Sequence, residues 1–243
     1  MRSFEYEQHI TRPCPYNHAR AHARHVAPDD MTADTSSPTP RGSAGPTRAE
    51  TIHLEKQALR ARLLPLRQQA LSSNPETARA ITAGVRAWLD EQRVHCVGFY
   101  WPLAGEPDVR AAVTDWLAAD TDRRAALPEV VHAATALRYV AWTPETAMRK
   151  GRYGIAVPES GTEDASTNNM TPDALLIPCV GFDGRGFRLG YGGGYYDRTL
   201  ASATCRPATL GVALDTTRVV TLPTDAFDIP LDAIQTERRR YYR

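Results

Sequence analysis

The chain has 243 residues, of which 42% are hydrophobic and 23% are charged, as in ordinary soluble globular proteins. Its 29 Lys and Arg residues nearly balance its 28 Asp and Glu residues, so the net charge is +1. This balance excludes a global field that would recruit nucleic acid or an anionic membrane. We therefore expect anions to bind only at local clusters of cations, which favours a small phosphorylated ligand over a polymer.

Apolar runs and cysteines narrow the class of protein further. No apolar run reaches the roughly 18–20 residues that a membrane helix needs, and the first residues lack the hydrophobic core of a signal peptide. The four cysteines, Cys14, Cys96, Cys179 and Cys205, are scattered and form no CxxC pair. We therefore expect a soluble, cytoplasmic protein with reduced thiols.

The first 46 residues differ in composition from the rest. Residues 29–46 are dense in Pro, Ser, Thr, Gly and Asp, so they cannot bury enough apolar surface to become ordered. A Cys and three His residues precede them at spacings that a metal could use, but a polar segment without carboxylate partners favours a disordered arm. These four residues are Cys14, His18, His22 and His25. We predict a disordered N-terminal extension at 1–46 and a domain at 47–243.

A helical pattern begins at Arg48. Leu59, Leu63 and Leu66 recur at i, i+4 and i+7 and predict an apolar stripe, while Pro65 should kink the helix or end its first part. Three cations, Lys56, Arg60 and Arg67, fall within about 40° of one another on a helical wheel. A basic stripe of this kind is usually a solvated face, and the periodicity alone favours that interpretation.

Asn74 followed by Pro75 is typical of a helix start. The helix should run to about Glu91 and bury Ile81, Val85, Trp88 and Leu89. A strand at 94–100 follows and ends at Trp101 and Pro102. The loop 103–108 comes next, with Asp108 as the cap of a helix that should run to about Ala119. In parallel α/β sheets, ligands bind beyond the carboxyl ends of strands, where this loop lies.

Further strands are predicted at 124–128, 137–141, 174–177 and 209–214. Because strands alternate with helices, the sequence predicts an α/β domain with a mainly parallel sheet.

A glycine-rich passage follows the strand that stops at Pro178. Its glycines are Gly181, Gly184, Gly186, Gly190, Gly192, Gly193 and Gly194, and a helix is predicted to open at Tyr195. Glycine amides can approach an anion closely, and a helix N-terminus favours negative charge. Arg185, Arg188 and Arg198 add cations that can bind phosphate oxygens. We interpret the passage as a phosphate cradle, with a plain tight turn as the alternative; the Gly-Lys-Ser/Thr ending of a Walker loop is missing.

The ordered string Phe182-Asp183, then Arg188-Leu189-Gly190-Tyr191-Gly192-Gly193-Gly194-Tyr195-Tyr196-Asp197, resembles the signature of the 5-formyltetrahydrofolate cyclo-ligase family, also called 5,10-methenyltetrahydrofolate synthetases. The resemblance extends over about 50–237. It implies closure of 5-formyltetrahydrofolate to 5,10-methenyltetrahydrofolate with ATP as co-substrate and Mg²⁺ as cofactor. It also implies a three-layer α/β/α fold related to the sugar-phosphate isomerase and CoA-transferase group (the NagB/RpiA/CoA-transferase-like fold).

The resemblance also assigns roles to residues. It implies that ATP is bound by Lys56, Arg60, Arg188, Leu189, Gly190, Tyr191, Gly192, Gly193, Gly194, Tyr195 and Tyr196. It implies that the folate is bound by Trp101, Glu106, Tyr153, Tyr191, Gly192, Gly193, Gly194 and Tyr195. Arg188 and Tyr195 are the expected catalytic residues, and Asp197 and Asp228 the expected Mg²⁺ ligands. Arg67 is left open between function and a solvated face, Asp228 between metal ligand and strand-edge carboxylate, and Glu106 between pterin contact and helix first-turn acid.

Some family members have a Lys where this chain has Gly193, so backbone amides and Arg188 are expected to serve instead. We expect a reaction through a phosphorylated formyl intermediate on small-molecule substrates. We also expect a monomer without nucleic acid or membrane partners. Two alternatives stay open. One is a paralogue that keeps the ATP cradle but acts on another formylated or carboxylated amine. The other is a non-enzymatic folate- or nucleotide-binding protein.

Overall fold

The computed structural model describes residues 45–159 and 169–243. The predicted disordered arm, except its last two residues, and the group of Cys14 and three His residues lie outside these ranges. The helices are α1 (Arg48–Ser73), α2 (Pro75–Gln92), α3 (Arg110–Ala118) and α4 (Tyr195–Ser202). The strands are β1 (Cys96–Gly98), β2 (Arg124–Glu129), β3 (Arg138–Trp142), β4 (Met148–Lys150), β5 (Ala156–Pro158), β6 (Asn169–Met170), β7 (Ala174–Pro178), β8 (Gly181–Phe182), β9 (Arg188–Leu189), β10 (Ala208–Val212), β11 (Ala233–Gln235) and β12 (Arg240–Tyr242).

The main sheet is mostly parallel, as the sequence predicts. In the described part of the chain it has eight strands in the order β12-β11-β10-β7-β1-β2-β3-β6. The five inner strands from β11 to β2 run parallel, whereas β12, β3 and β6 pair antiparallel at the two edges. The carboxyl ends of the parallel strands therefore meet at one edge of the sheet, where a ligand site is expected.

Helices cover both faces of this sheet and make three layers. Successive strand residues point to opposite faces. Accordingly, Leu176 of β7 packs in one buried cluster with Trp88 of α2 and Trp116 of α3. Its neighbours Leu175 and Ile177 pack in another cluster that contains Leu200 of α4. The predicted α/β/α arrangement is confirmed, while the relation to the CoA-transferase group stays an expectation.

The second helix behaves as its sequence predicts. The side chain of Asn74 accepts the N–H of Glu76 at 2.9 Å, and Pro75 occupies the first helical position. The four expected core residues, Ile81, Val85, Trp88 and Leu89, are all buried.

The first helix corrects one prediction and narrows another. It begins with a capping box between Thr47 and Glu50 and runs through Pro65 to Ser73, so the proline does not end the helix. Leu63 and Arg67 are both buried, and this packing on either side of the proline offsets the lost backbone hydrogen bond. Leu66 does not belong to an inward apolar stripe, because it is 39% exposed and Arg67 takes the inward position.

Two element boundaries differ from the predictions around the first strand. The strand predicted at 94–100 is shortened to β1, although the Phe99 N–H still donates to the carbonyl of Ala126 at 3.0 Å. The helix after it begins with Val109 as its cap residue instead of Asp108. The carboxylate of Asp108 nevertheless accepts the Arg110 N–H at 3.0 Å, so it still satisfies one backbone donor of the first turn. Within residues 45–159 and 169–243, no helix combines the length and the apolarity of a membrane span.

Candidate active site

One cleft of about 1100 Å³ opens at the carboxyl ends of β1, β2 and β7. Its walls come from one face of α1, the segment after β1, the glycine loop, the first turn of α4 and the segment 225–229. It receives every residue to which the family resemblance assigns a role, namely Lys56, Arg60, Trp101, Glu106, Tyr153, residues 188–197 and Asp228. These residues lie far apart in the chain, so the fold alone brings them together.

The glycine loop, defined as residues 190–194, connects β9 to α4. Gly192 has φ +99° and Gly194 has φ +63°, a conformation that side chains disfavour. A Cβ at Gly192 would lie 3.3 Å from Nη2 of Arg60, so the loop approaches α1 closely. Nε of Arg60 donates to the carbonyl of Gly190 at 2.7 Å and fixes that approach. The loop is thus held against a cation of α1.

Fewer residues contribute to the predicted phosphate cradle than the sequence indicates. Gly181 lies in β8, which forms a small antiparallel sheet with β9, and Gly186 lies in the intervening turn with φ +82°. Neither residue is part of the cleft wall, and Gly184 is not part of it either. Nη2 of Arg185 lies 2.7 Å from the buried carboxylate of Asp183, outside the cleft. These glycines shape a turn, which was the alternative interpretation for the whole passage.

The basic face of α1 points into the cleft instead of into solvent. Nζ of Lys56 lies 2.6 Å from Oδ2 and 2.9 Å from Oδ1 of Asp228, and 3.4 Å from Oδ2 of Asp225. Only 15% of the Lys56 side chain is exposed. Together with Arg60, Lys56 places two positive charges beside the glycine loop, about 6 Å apart along the helix axis.

Arg67 is the centre of a buried polar cluster at the other end of this face. Its Nη2 donates to the hydroxyl of Tyr191 at 2.5 Å, and its Nη1 donates to the carbonyl of Cys179 at 3.4 Å. Nη1 also lies 3.8 Å from Oε1 of Glu106, and only 2% of either side chain is exposed. Arg67 therefore connects the glycine loop to the carboxylate that the sequence assigns to the folate.

Glu106 retains unused hydrogen-bonding capacity within this cluster. Its Oε2 accepts the N–H of Leu103 at 2.8 Å, but its Oε1 has no hydrogen-bond partner within the described ranges. Burial raises the pKa of Glu106, and the Leu103 N–H, the Arg67 guanidinium and the Tyr191 hydroxyl offset only part of that shift. A buried acceptor without a partner costs free energy unless a ligand donates to it. Glu106 is therefore suited to receive an N–H donor from a bound molecule.

Aromatic side chains line the same cleft as Glu106. Tyr153 lies in the 3₁₀ turn Arg152–Gly154 with φ +60° and is 66% exposed. Its hydroxyl lies 2.8 Å from the hydroxyl of Tyr195, and this hydrogen bond raises the pKa of Tyr195. Trp101 lies beneath Arg110, whose guanidinium carbon is 4.6 Å from the ring centre. These rings offer flat surfaces to a planar ligand.

Two carboxylates, those of Asp197 and Asp228, also line the cleft. Nη2 of Arg188 lies 2.9 Å from Oδ1 of Asp197, and Nη1 donates to the carbonyl of Ile229 at 2.8 Å. Oδ1 of Asp197 also accepts the N–H of Ile229 at 3.1 Å. Asp197 thus lies beside the chain segment that holds Asp228.

The carboxylates of Asp197 and Asp228 suit a hard cation whose other ligands are phosphate and water oxygens. In the described ranges, no three His, Cys, Asp or Glu residues are grouped as a complete metal site would require. One or two carboxylates with phosphate and water are, however, the usual set for Mg²⁺–nucleotide sites. Asp197 and Asp228 are compatible with such a site, and their role as metal ligands stays a prediction.

Several wall residues escape the sequence analysis. Ile52 and His53 line the cleft, as does Phe227, which is 84% exposed. Ile52 and His53 precede Lys56 by four and three residues, so the face of α1 that contains the predicted cations could have indicated them. Phe227 adjoins Asp228 but belongs to no periodic pattern, so no signal in the sequence identifies it.

Comparisons with known proteins agree on one family. A model of the 5-formyltetrahydrofolate cyclo-ligase family matches residues 52–237. The 5-formyltetrahydrofolate cyclo-ligase of Haemophilus influenzae is 28% identical over 188 residues, which cover 76% of this chain and 95% of the relative. The Escherichia coli K12 protein of the same name is 34% identical over 146 residues, or 58% of this chain and 78% of the relative.

Solved structures give the same result for the fold. The 5,10-methenyltetrahydrofolate synthetase of Aquifex aeolicus superposes with a TM-score of 0.63 at 26% identity, over 77% of this chain and 92% of that one. The synthetase of Mycoplasma pneumoniae gives a TM-score of 0.59 at 24% identity, over 75% of this chain and 99% of that one, and supports the fold alone.

Proposed function

The chain belongs to the 5-formyltetrahydrofolate cyclo-ligase family and is an enzyme of that class, and on this premise we propose that it closes 5-formyltetrahydrofolate to 5,10-methenyltetrahydrofolate, consuming ATP and releasing ADP and phosphate. One observation supports this most directly. One cleft of about 1100 Å³ is lined by a set of cations suited to phosphates, by a buried carboxylate and by aromatic rings.

The phosphate end consists of Lys56, Arg60, Arg188 and the amides of the glycine loop. Lys56 and Arg188 are at present paired with Asp228 and Asp197. Phosphate oxygens can replace those carboxylates as partners of both cations. The protein's contribution to phosphoryl transfer would then be positioning and neutralisation of charge.

Asp197 and Asp228 would hold Mg²⁺, which when bound supplies positive charge next to the phosphates. Both carboxylates lie against the 225–229 segment, because Asp197 accepts the N–H of Ile229, the residue after Asp228. Replacement of their present cation partners would free them for this role.

The folate end consists of Glu106, Trp101, Tyr153 and Tyr191. A pterin edge carries N–H donors, and Oε1 of Glu106 is a buried acceptor that no donor in the described part of the chain reaches within hydrogen-bond distance. The exposed ring of Tyr153 would pack against the pterin. Arg67 would keep Glu106 and Tyr191 in place while the ligand binds.

The reaction that this arrangement supports has two steps. The formyl oxygen at N5 attacks the γ-phosphorus of ATP, the bond to the β-phosphate oxygen breaks, and ADP leaves with the bonding electrons. N10 then attacks the formyl carbon, loses its proton to solvent, and expels the phosphate as the ring closes. Arg188 would contact the transferred phosphoryl group, and the Tyr195 hydroxyl would contact the formyl oxygen.

The test is the appearance of the methenyl-folate absorbance band in a mixture of the whole chain, 5-formyltetrahydrofolate, ATP and Mg²⁺. We expect a rise that disappears when any one of the three small molecules is omitted. A mixture that hydrolyses or binds ATP without any rise would overturn the folate assignment and favour a paralogue with another formylated or carboxylated substrate. A rise without ATP would overturn the phosphorylated intermediate.

We also propose that the protein acts as a cytoplasmic monomer with small-molecule substrates and without nucleic acid or membrane partners. Burial raises the pKa of Cys96 and of Cys179 to about 12, so both thiols are expected to be unreactive core residues. Light scattering after gel filtration would test the monomer, and a dimer mass would overturn it.

A further inference from the structure

Arg67 contacts both the glycine loop and the folate end of the cleft. Its Nη2 donates to the Tyr191 hydroxyl at 2.5 Å, and its guanidinium carbon lies 5.5 Å from the centre of the Tyr191 ring. Its Nη1 lies 3.8 Å from Oε1 of Glu106. One planar group with several N–H donors therefore joins a residue of the glycine loop to the carboxylate of the folate end.

This buried cluster has hydrogen-bonding capacity that the protein does not use. Nε of Arg67 and Oε1 of Glu106 are both buried without a hydrogen-bond partner in the described part of the chain. At 3.8 Å, Nη1 of Arg67 and Oε1 of Glu106 are too far apart for a hydrogen bond. An unsatisfied buried acceptor costs free energy, and a ligand that donates to Oε1 removes this cost. The carboxylate is therefore satisfied only when a ligand occupies the folate end.

The conformation of the glycine loop depends on the Tyr191 side chain. Tyr191 is the only residue of the loop 190–194 that is not glycine, so it carries the only side chain through which the loop can be anchored. Its neighbour Gly192 has φ +99°, and glycine backbone has weak conformational preferences of its own. The Tyr191 side chain is half exposed, so the hydrogen bond from Arg67 supplies the anchor that packing does not.

We propose that Arg67 and the Tyr191 hydroxyl are positioning groups that make the binding of folate and the binding of ATP cooperative. This rests on the proposed function for the identity of the two ligands. An N–H donor on the pterin that binds Oε1 of Glu106 fixes this carboxylate and, through it, the Arg67 guanidinium. Arg67 then holds Tyr191, and with it the amides of the glycine loop, in the conformation that receives phosphate.

The sign of the coupling follows from the order that the first ligand creates. The first ligand to bind bears the entropic cost of fixing the cluster, and the second ligand binds a cluster that is already fixed. Coupling between two sites is reciprocal, so each ligand raises the affinity for the other by the same factor. We therefore expect positive cooperativity in both directions.

The test measures the affinity of the whole chain for the β,γ-imido analogue of ATP with Mg²⁺, in the absence and in the presence of saturating 5-formyltetrahydrofolate. The analogue cannot transfer its terminal phosphoryl group, so both ligands stay intact during calorimetry. Coupling between sites is typically about 5–150-fold, so the folate should tighten binding of the analogue at least about fivefold. Tyr191→Phe keeps the ring and removes the hydroxyl, so this ratio of affinities should fall to about one, whatever the affinity for either ligand alone.

Two further variants separate the network from general effects. Arg67→Lys keeps the charge but lacks the fork of donors that reaches two partners, so it should also lower the ratio to about one. Tyr191→Phe decides the question even if Arg67→Lys does not fold. Tyr242→Phe is the matched control, because the Tyr242 hydroxyl accepts Nη1 of Arg240 at 3.0 Å and lies outside the cleft wall. It should keep the ratio of the parent chain.

The ratio distinguishes coupling from a merely structural role. A structural role would weaken the binding of each ligand alone and leave the ratio unchanged. A ratio of about one in the parent chain, or the parent's ratio retained in Tyr191→Phe, would overturn the coupling.

The proposed function can fail separately. If the parent chain makes no methenyl-folate but the folate tightens binding of the analogue and Tyr191→Phe abolishes this effect, the coupling is supported and the proposed reaction is wrong. If methenyl-folate forms and the ratio in the parent chain is about one, the function is supported and the coupling is wrong.

Discussion

The two ends of the cleft use the same kinds of charge in different surroundings. At the phosphate end, 20% of the Asp228 side chain and 22% of the Asp197 side chain remain exposed beside Lys56 and Arg188. At the folate end, Arg67 and Glu106 are each 2% exposed and lie 3.8 Å apart.

This difference in burial separates two uses of an ion pair. Partly exposed pairs contribute little to stability, so their members can exchange partners with a charged ligand at small cost. Removing one member of a buried pair leaves a charge that neither water nor another residue compensates. We therefore expect substitutions at the phosphate end to alter activity, and substitutions at Arg67 to alter stability as well.

The largest expected effect is that of Asp197→Ala on turnover. The change removes a predicted metal ligand and the carboxylate partner of Arg188. Loss of one pre-organised group at a site of developing charge lowers kcat by about 10²–10³-fold, so ATP-dependent turnover should nearly vanish. The fold should stay intact because the Asp197 side chain is 22% exposed, so its removal leaves no fully buried cavity. Turnover by the absorbance assay and urea unfolding measure the two outcomes.

Asp90→Ala is a suitable control for that variant. Asp90 pairs with Arg86 and Arg123 away from the cleft, so its loss should leave turnover unchanged. Turnover retained in Asp197→Ala would remove Asp197 from the metal site.

The next effect concerns Arg67→Met and is mainly a loss of stability. The substitution keeps an unbranched apolar side chain but leaves the Glu106 carboxylate buried without its cation. Breaking a buried pair in this way costs about 3–5 kcal/mol, measured as the free energy of unfolding in urea. Lys56→Met, at the partly exposed end, should cost less than about 1 kcal/mol.

A double variant separates the lost charge from lost packing. If the buried carboxylate is the cause, adding Glu106→Gln to Arg67→Met should restore part of the stability. Equal losses in the single and double variants would show that packing of Arg67, and not charge, determines the effect.

Where the sequence predicted well, local patterns were sufficient. Pro75 and the spacing of Ile81, Val85 and Trp88 determine α2 by local capping and periodicity, and its burial pattern is confirmed. The ordered string at 188–197 was long enough to identify the family, whose model matches 52–237.

The remaining features depend on contacts between distant parts of the chain. The role of Arg67 was left open because its partners lie at least 39 residues away along the chain. These partners are Tyr191, Glu106 and Cys179. Gly181 and Gly186 resembled cradle residues because a glycine turn looks the same in sequence whether or not it faces a ligand. Phe227 could not be predicted as a wall residue of the cleft, since its position there and its exposure follow only from the folded protein.

The pH dependence of the free energy of unfolding is a second test of the buried pair at the folate end. Burial raises the pKa of Glu106 above its ordinary value of 4.5. The folded protein therefore holds this proton more tightly than the unfolded chain does. The contribution of this bound proton to stability is complete below about pH 4.5 and is lost as the pH rises through the pKa of Glu106 in the folded protein. The parent chain should accordingly lose stability relative to Glu106→Gln over that window, as measured by urea unfolding at successive pH values.

Glu129 provides a control of opposite sign. Burial alone would raise its pKa, but Arg138 and Arg149 more than offset this and lower it. Its contribution is therefore present above the ordinary pKa and is lost as the pH falls, so Glu129→Gln should show the reverse slope. Parallel slopes for the two variants would contradict the assignment of a raised pKa to Glu106.

The smallest expected effect lies at the exposed rim of the folate end. Tyr153→Phe removes only the hydroxyl that pairs with Tyr195, at a residue that is 66% exposed, so the KM for the folate should change less than about threefold. Tyr153→Ala also removes the ring and should raise that KM by about five- to tenfold with kcat nearly unchanged, because stacking is worth about 1 kcal/mol or more. If Tyr153→Phe matched Tyr153→Ala, the hydroxyl pair and not the ring would be the contact that binds the folate, and the rim would resemble the buried end in relying on polar groups.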